Sequence, residues 1–540
     1  MSRVLEIVLS LSLEGWPVKA ASRARGTQRD FGAELVRAWR ICPQVRMRRG
    51  HERVTIESCR IEEAEPSPGA NWWTWVETNA HGRRVVASRT QAFAPGVTAR
   101  ELFDAEHAGI VVAMPLPLPE AAGAATGAID GAAPDTAARP EAADSRPEAS
   151  ALRLVSERRR GRWADDSGVV VEMTLDDVTL HRDSEAPRRY VELRLAAPDW
   201  ETLPARTAAL HALFAAAREL SGAWPAFVQL TSVIDRACAD GPAACGPVKA
   251  QLVDLTGMRT QRAALFALSG DITAQWLGNE AGVLEHDDPE YVHQMRVALR
   301  RLRTLMRFFP RFADRQWRDT RGADLRWLAA LLGTVRDWDV FATESLPALI
   351  EADGGDGEWS GTLDAARAQC AAARVELRQA LHSARYARLT LGWLEWLGSL
   401  ALPSAEDGDA PSLRRHATKR VRRLFGHLYA SPSLTSLDTA ARHQVRIDAK
   451  RLRYALEFFA SLASRRTRTD TVKTLARAQS VLGEANDTMV ALQHLEKLGA
   501  PPYQLGFVRG YGAALAQRAA RDAETLLASL RPPKLDGKPG

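Results

Sequence analysis

No two cysteines in this sequence stand at the CxxC spacing of a metal or dithiol site, and the 540 residues hold only five of them: Cys42, Cys59, Cys238, Cys245 and Cys370. That scatter excludes a disulfide framework and reads as free thiols in a reducing compartment. No apolar run approaches the ~18 residues that a membrane-spanning helix needs. The opening MSRVLEIVLSLSLEGW is broken by Glu6 and by serines and offers no clear cleavage site, so a strand is expected there rather than a secretion signal. Signatures of common catalysts are missing as well, since GxxxxGK[ST], GxSxG, HExxH and GxGxxG do not occur in a useful context. Charge of one sign is not in large excess: 72 Lys and Arg against 66 Asp and Glu leave +6. So small an excess predicts no polyanion partner by itself, and the placement of the charge has to decide. A cytoplasmic protein that makes no use of a membrane is the expectation.

What is present divides the chain in two. The segments VLEIVLSLSL, ERVTIESCRI, NWWTWVET and GRRVVASRT, rich in β-branched and aromatic residues, read as strands within residues 1–112. Residues 115–150 are Pro/Ala/Gly-rich and read as a flexible insertion. Strand patterning returns in ALRLVSERRRGRW, GVVVEMTLDDVTLHR and RRYVELRLA, and from about Leu203 the period turns helical as far as residue 530. The closing RPPKLDGKPG is expected to fray. Strands followed by helices predict a multidomain α+β chain. Its N-terminal part, residues 1–240, is expected to be an antiparallel β tunnel or barrel; residues 253–530 are expected to be all-α.

An internal repeat gives the strongest signal. His293-Gln-Met-Arg296-Val-Ala-Leu-Arg300-Arg301-Leu302-Arg303 recurs as His443-Gln-Val-Arg446-Ile-Asp-Ala-Lys450-Arg451-Leu452-Arg453, an offset of 443 − 293 = 150. At the same offset Leu332-Gly333-Thr-Val-Arg336-Asp337 recurs as Leu482-Gly483-Glu-Ala-Asn486-Asp487. The helical part is therefore read as two copies of one bundle, about 253–395 and 405–530, related by a pseudo-two-fold axis.

At about 100° per residue, His293, Arg296, Arg300, Arg303 and Arg307 fall in one stripe of a helix, with Leu299, Leu302, Leu305, Met306 and Phe309 opposite. His443, Arg446, Lys450 and Arg453 repeat the stripe, with Glu457 in the place of Arg307. Solvated helix faces commonly pair Glu with Lys at this spacing; here like charges repel, and something anionic must offset them. Carboxylates of neighbouring helices, such as Asp337, Asp339 and Asp487, are one candidate, and an external polyanion is the other. A second face, His416, Lys419, Arg420, Arg423 and His427, and a weaker one, Arg374, Arg378, His382 and Arg385, add to the cationic surface. Each stripe spans about 20 Å, which suits an extended chain of closely spaced charges. Single-stranded nucleic acid is a poorer fit, because Phe308, Phe309, Phe458 and Phe459 lie on or near the apolar side and leave no platform for bases.

The segments VHQMRVALRRLRTLMRFF, LLGTVRDWDV, HQVRIDAKRLRYALEFF and VLGEANDTMV together resemble the CHAD domain, the conserved histidine α-helical domain. The resemblance implies two helical bundles around a basic groove, inorganic polyphosphate as the ligand, and a place on polyphosphate granules. By match to the family motif it implies His293, Arg296, Arg300, Arg303, His443, Arg446, Lys450, Arg451 and Arg453 as phosphate-binding residues. Protonation of His293 and His443 beside a polyanion is favoured, which would couple affinity to pH.

The N-terminal strands resemble the CYTH superfamily of triphosphate-tunnel hydrolases, with departures. Leu5-Glu6-Ile-Val8-Leu-Ser10 resembles that family's ExExK strand with Val8 and Ser10 in place of the second Glu and the Lys. Val171-Glu172-Met-Thr-Leu-Asp176 is similar to a middle strand, and Val191-Glu192-Leu-Arg194-Leu to ELEL with Arg194 where a carboxylate belongs. Ser232-Val233-Ile-Asp-Arg236 resembles SKxxR without its Lys. Alternating carboxylates on one strand face could hold the Mg²⁺ of an active triphosphatase. Glu6, Glu172, Asp176 and Glu192 remain, but an arginine among them repels a metal ion. The reading is a catalytically inactive tunnel kept for anion binding or architecture, with no cofactor; an active Mg²⁺-dependent triphosphatase or polyphosphate hydrolase is the alternative.

Overall fold

The computed structural model describes residues 2–13, 30–61, 70–104, 152–182, 186–230, 232–233, 246–313, 315–354, 358–403, 412–430 and 433–535. The 115–150 segment and residues 234–236 lie outside these.

Eight antiparallel strands close on themselves: β1 (Ser2–Leu11), β3 (Glu52–Ile61), β4 (Ala70–Asn79), β5 (Gly82–Ala94), β6 (Val97–Asp104), β7 (Leu152–Ala164), β8 (Val170–Arg182) and β9 (Arg188–Ala197). The order around the barrel is β1-β6-β5-β4-β3-β7-β8-β9, and β1 pairing with β9 completes it. A short β2 (Val45–Met47) pairs with β7, and α1 (Phe31–Ala38) precedes it. The two-residue period of strands sorts the side chains by face. Leu5, Ile7 and Leu9 of β1, Met173 and Leu175 of β8, and Leu193 and Leu195 of β9 are buried in one core with Leu210, Leu213, Phe214 and Ala217 of α2 (Leu203–Ala223). Helix α2 starts where the Thr202 hydroxyl accepts from the Ala205 amide and a proline occupies its first turn, and it ends as Trp224 turns extended. The helical period does not run on unbroken from Leu203, because β10 (Ala226–Gln229) intervenes and pairs with β1. Four residues are too few to show an alternation, and only the free edge of β1 makes them a strand.

Eleven α-helices follow among the described residues. The first bundle holds α3 (Gln261–Leu277), α4 (Glu280–Glu285), α5 (Pro289–Phe308), α6 (Arg315–Val340), α7 (Leu346–Ala352), α8 (Ser360–Leu381) and α9 (Ala384–Ala401). The second holds α10 (Leu413–Tyr429), α11 (Thr439–Phe458), α12 (Val472–Leu498) and α13 (Pro502–Ala528). The repeated helices α5 and α11 begin alike: Asp288 accepts from the Glu290 amide and Asp438 from the Ala441 amide, again 150 residues apart. Their apolar faces meet through Phe308, Phe309, Phe458 and Phe459, with the rings of Phe308 and Phe458 6.0 Å apart and edge-on. A carboxylate at a helix N-terminus also favours the helix through its dipole.

Barrel and bundle share one core. Leu210 of α2 reaches α9 at Gly398, where an added Cβ would stand 2.9 Å from the leucine methyl. Arg218 and His211 both meet Glu395 of α9, at 2.6 and 3.1 Å. The tail is docked rather than frayed as far as Leu535: the Lys534 carbonyl accepts from the Ser464 amide at 3.0 Å, and Leu535 is buried. Burial of the Leu535 side chain, about 1.5–3 kcal/mol, acts with the hydrogen bonds of Lys534 against an ordering cost of about 1–2 kcal/mol per residue.

Candidate polyanion-binding groove

Helices α5 and α11 bring the cationic stripes of both repeats together. Arg296 and Arg300 of α5 and Arg446 of α11 all act on the Lys450 ammonium. Burial and these three guanidinium groups push its pKa down to about 8. Burial, then Arg296 and Arg453, likewise lower that of Arg300. Arg300 and Arg453 both lie over the Tyr454 ring, at 5.3 and 5.1 Å from its centre, so a buried aromatic face supports the arginines from beneath. Arg453 is steadied further by Gln479 and Glu457, each at 2.8 Å.

The second repeated motif explains itself at this point. Helix α6 presents Gly333 and α12 presents Gly483, and the group nearest a Cβ built at either is a stripe arginine: Arg296 at 3.8 Å and Arg446 at 3.9 Å. One turn on, Asp337 pairs with Arg296 at 3.5 Å, and Asp487 exerts its pull on Arg446. Burial and the nearness of Asp487 raise the Asp337 pKa. Arg296 and Arg446 therefore each have an internal carboxylate behind them, while the rest of the cluster has fewer anions than cations. The Nε donors of Arg300 and Arg446 and Nδ1 of His293 are buried without a hydrogen-bond partner among the described residues. Unmet buried donors cost about 1–3 kcal/mol each, and charged ones more.

The other expected residues are distributed as follows. His293 is half-buried, and burial, Arg336, Arg300 and Arg296 lower its pKa, whereas His443 is exposed. Arg303 and Arg307 are exposed and form a cationic end to the groove with Arg326 of α6. Arg451 pairs with Asp448 on its own helix at 2.9 Å. Its counterpart Arg301 is held by Asp271 and Gln275 of α3, both at 2.7 Å, on the flank of the stripe. On α10, Lys419, Arg423 and His427 are exposed and Arg420 half-exposed. His416 instead packs flat on Phe309 (5.2 Å) with Nε2 2.8 Å from the Phe308 carbonyl oxygen.

The weaker stripe of Arg374, Arg378, His382 and Arg385 is not a single face, because α8 stops at Leu381 and α9 starts at Ala384. Arg374 is bound by Asp339 at 2.7 Å, Arg378 by Asp287 at 2.8 Å and Arg385 by Asp324 at 2.7 Å, while His382 packs edge-on against Phe227 of β10. Sequence reasoning missed Tyr454, Gln479, Arg326 and Arg336. Tyr454 carried a legible signal: it directly follows the repeated Arg-Leu-Arg, where the first copy has Thr304.

The barrel lumen is also charged, but it is neutralised from within. Glu6 is paired with Arg100 at 2.7 Å, and Arg100 also donates to Ser88. Asp176 accepts from Arg158 (2.7 Å), Arg194 (2.8 Å) and Ser156 (2.8 Å). Burial pushes the Asp176 carboxyl up, but Arg158 and Arg194 outweigh it and hold the group well below the usual carboxylate range. Glu192 accepts from the Val233 amide at 2.6 Å, and Glu172 is exposed. The same lumen holds an apolar cluster of Val54, Ile56, Trp73, Trp75, Val86, Leu154, Val178 and Val233. Among the described residues no group of three or more His, Cys, Asp or Glu side chains is placed to hold a metal ion. No described helix is long and apolar enough to cross a membrane.

Lys450 gives a prediction with a defined sign. In the free protein its charge is lost as pH rises through about 8. A bound polyanion favours the charged form, so binding takes up a proton in that range and affinity falls as pH climbs from about 7 to 9. Calorimetry in buffers of different ionisation heat should show this uptake in the native protein, and Lys450→Arg should abolish it. An equal proton uptake in the Lys450→Arg variant would refute the assignment.

Residues 268–496 match the family model of the CHAD domain. Among solved structures, the crystal structure of the CHAD domain from the plant Ricinus communis is 30% identical over 54% of this chain and 99% of its own, with a TM-score of 0.45. PptA from Streptomyces chartreusis is 20% identical over 50% of this chain and 100% of its own, with a TM-score of 0.37. No curated protein matches. By its family-model match and its identity with the plant domain, the chain belongs to the CHAD family, through the helical bundles that follow the barrel.

Proposed function

We propose that the groove between α5 and α11 binds inorganic polyphosphate, and that the protein works by binding rather than turnover. The observation that carries this reading is the convergence of Arg296, Arg300, Arg446, Lys450 and Arg453 around buried guanidinium donors that no group among the described residues satisfies. Guanidinium forks and an ammonium match phosphate oxygens and form charge-assisted hydrogen bonds with them. The stripe suits a linear array of phosphates, and polyphosphate is also the ligand that the CHAD resemblance implies. Tyr454 does not convert the groove into a base-stacking track, because it is buried beneath two arginines. The barrel, its carboxylates held by Arg100, Arg158 and Arg194, serves as architecture. A cytoplasmic location at polyphosphate granules is part of the proposal.

The test is a titration of the full-length protein with long-chain polyphosphate at several salt concentrations, with single-stranded DNA as competitor. Salt-sensitive binding that DNA fails to displace is the expected result. Equal displacement by DNA would make the groove a general polyanion binder and defeat the polyphosphate assignment.

A further inference from the structure

Helix α10 carries a second cationic face that the groove does not account for. Arg415, Lys419 and Arg422 lie at i, i+4 and i+7 on one side of it, bordering a shallow surface depression with Ser412 and Thr418. Arg420 and Arg423 lie next to them, and no acidic residue occurs anywhere in 413–429. No carboxylate among the described residues forms an ion pair with any of these five, whereas Arg374, Arg378 and Arg385 are each bound by an aspartate. Like charges at helical i,i+3 and i,i+4 spacing destabilise a helix by a few tenths of a kcal/mol per pair. Nothing in the described fold offsets that.

The internal repeat shows what this face is not for. Subtracting 150 maps Arg415, Lys419, Arg422 and Arg423 onto Leu265, Ser269, Ile272 and Thr273 of α3, all of which are buried. There the face is covered by α9, whose Trp393 indole donates to the Thr273 hydroxyl at 2.9 Å. An apolar helix cannot cover the cationic face of α10 in the same way, because burying unpaired guanidinium groups is too costly. Whatever covers it has to be anionic. The first turn of α10, through His416, packs on Phe308 and Phe309 at the C-terminal turn of α5, which also carries Arg307. The first turn of α10 therefore lies against the C-terminal turn of α5, the turn that carries Arg307.

We propose that α10 is a second track for the same linear polyanion: a chain that fills the groove leaves it past Arg303 and Arg307 and continues over Arg415, Lys419 and Arg422. This rests on the polyphosphate reading of the groove and adds chain-length selection to it. A chain long enough to reach both tracks gains the second contact as an intramolecular event, and a short one does not. Helix α10 adds about 25 Å of track at 1.5 Å per residue.

The full-length protein would be titrated with tripolyphosphate and with long-chain polyphosphate, native and as the double variant Arg415→Glu with Arg422→Glu, and again as Arg415→Gln with Arg422→Gln. Both substituted pairs lie on an exposed helix face, and an unchanged far-ultraviolet spectrum and melting midpoint would confirm folding. The expected result is an unchanged affinity for tripolyphosphate and a loss of about tenfold or more for the long chain. An unchanged long-chain affinity overturns the second track. An equal loss for both lengths also overturns it, since that is the mark of a general field rather than of added contact. If the native protein binds neither length, the groove reading fails and this inference falls with it.

Discussion

Alanine at both Arg296 and Arg446 is expected to lower the affinity for long-chain polyphosphate by about a hundredfold or more, since hydrogen bonds to charged groups contribute roughly 1.5–3 kcal/mol each. The two residues are repeat equivalents, each flanking the glycine of the repeated Leu-Gly motif and backed by an aspartate at the same offset. Removing one leaves its counterpart to hold the chain; removing both takes a charge from each half. The slope of log affinity against log salt should fall by between about 1 and 2, as expected for the loss of two phosphate contacts. Stability should hardly change, because the variant relieves repulsion on Lys450 while freeing two carboxylates that water can reach. An unaltered affinity, or a loss of affinity with the salt slope intact, would sink the groove assignment. Melting of the variant alongside the titration separates lost contact from lost fold.

The second large effect is predicted in the barrel. Asp176→Ala leaves Arg158 and Arg194 in the lumen without the carboxylate that both contact. Removing one partner from a buried ion pair costs about 3–5 kcal/mol, mostly because an uncompensated charge stays behind. The barrel core is continuous with that of the bundle through α2 and α9, so the loss should appear as an earlier unfolding transition of the whole chain. The native pair also fixes an acid limit. The Asp176 carboxyl is depressed in the folded state, so its contribution is complete above the ordinary aspartate value of about 4 and is lost as pH falls below it. Because the lumen arginines are already committed to carboxylates, triphosphate with Mg²⁺ should release no phosphate. Phosphate release from triphosphate, or an Asp176→Ala variant as stable as the native protein, would contradict the internally neutralised lumen.

These two effects rest on charges of similar kind in different settings, and the contrast shows how far the sequence could be read. The stripe of His293, Arg296, Arg300 and Arg303 and its copy could be found from one helical turn angle and one offset. A helix carries its own geometry, so local spacing is enough to say which side chains share a face. Strand alternation similarly exposed Glu6, Asp176 and Glu192 as members of one surface. The mistaken elements are those whose state depends on distant partners. The stripe from Arg374 to Arg385 is broken by a helix end and held by aspartates of other elements, and residues 531–535 dock because the turn at Ser464 offers them an amide.

The sequence by itself determined the two classes of structure, the duplication, and the cationic face of α5 and α11, because hydrophobic period and repeat are local properties of a chain. Only the tertiary structure decided which charges line the groove and which face each other. Arg296 and Arg446 converge on Lys450 from two copies 150 residues apart, whereas Arg194 folds inward onto Asp176 and Arg301 onto Asp271. The physical reason is that a charge is assigned its role by the dielectric and the counter-charges around it, and those come from residues remote in sequence.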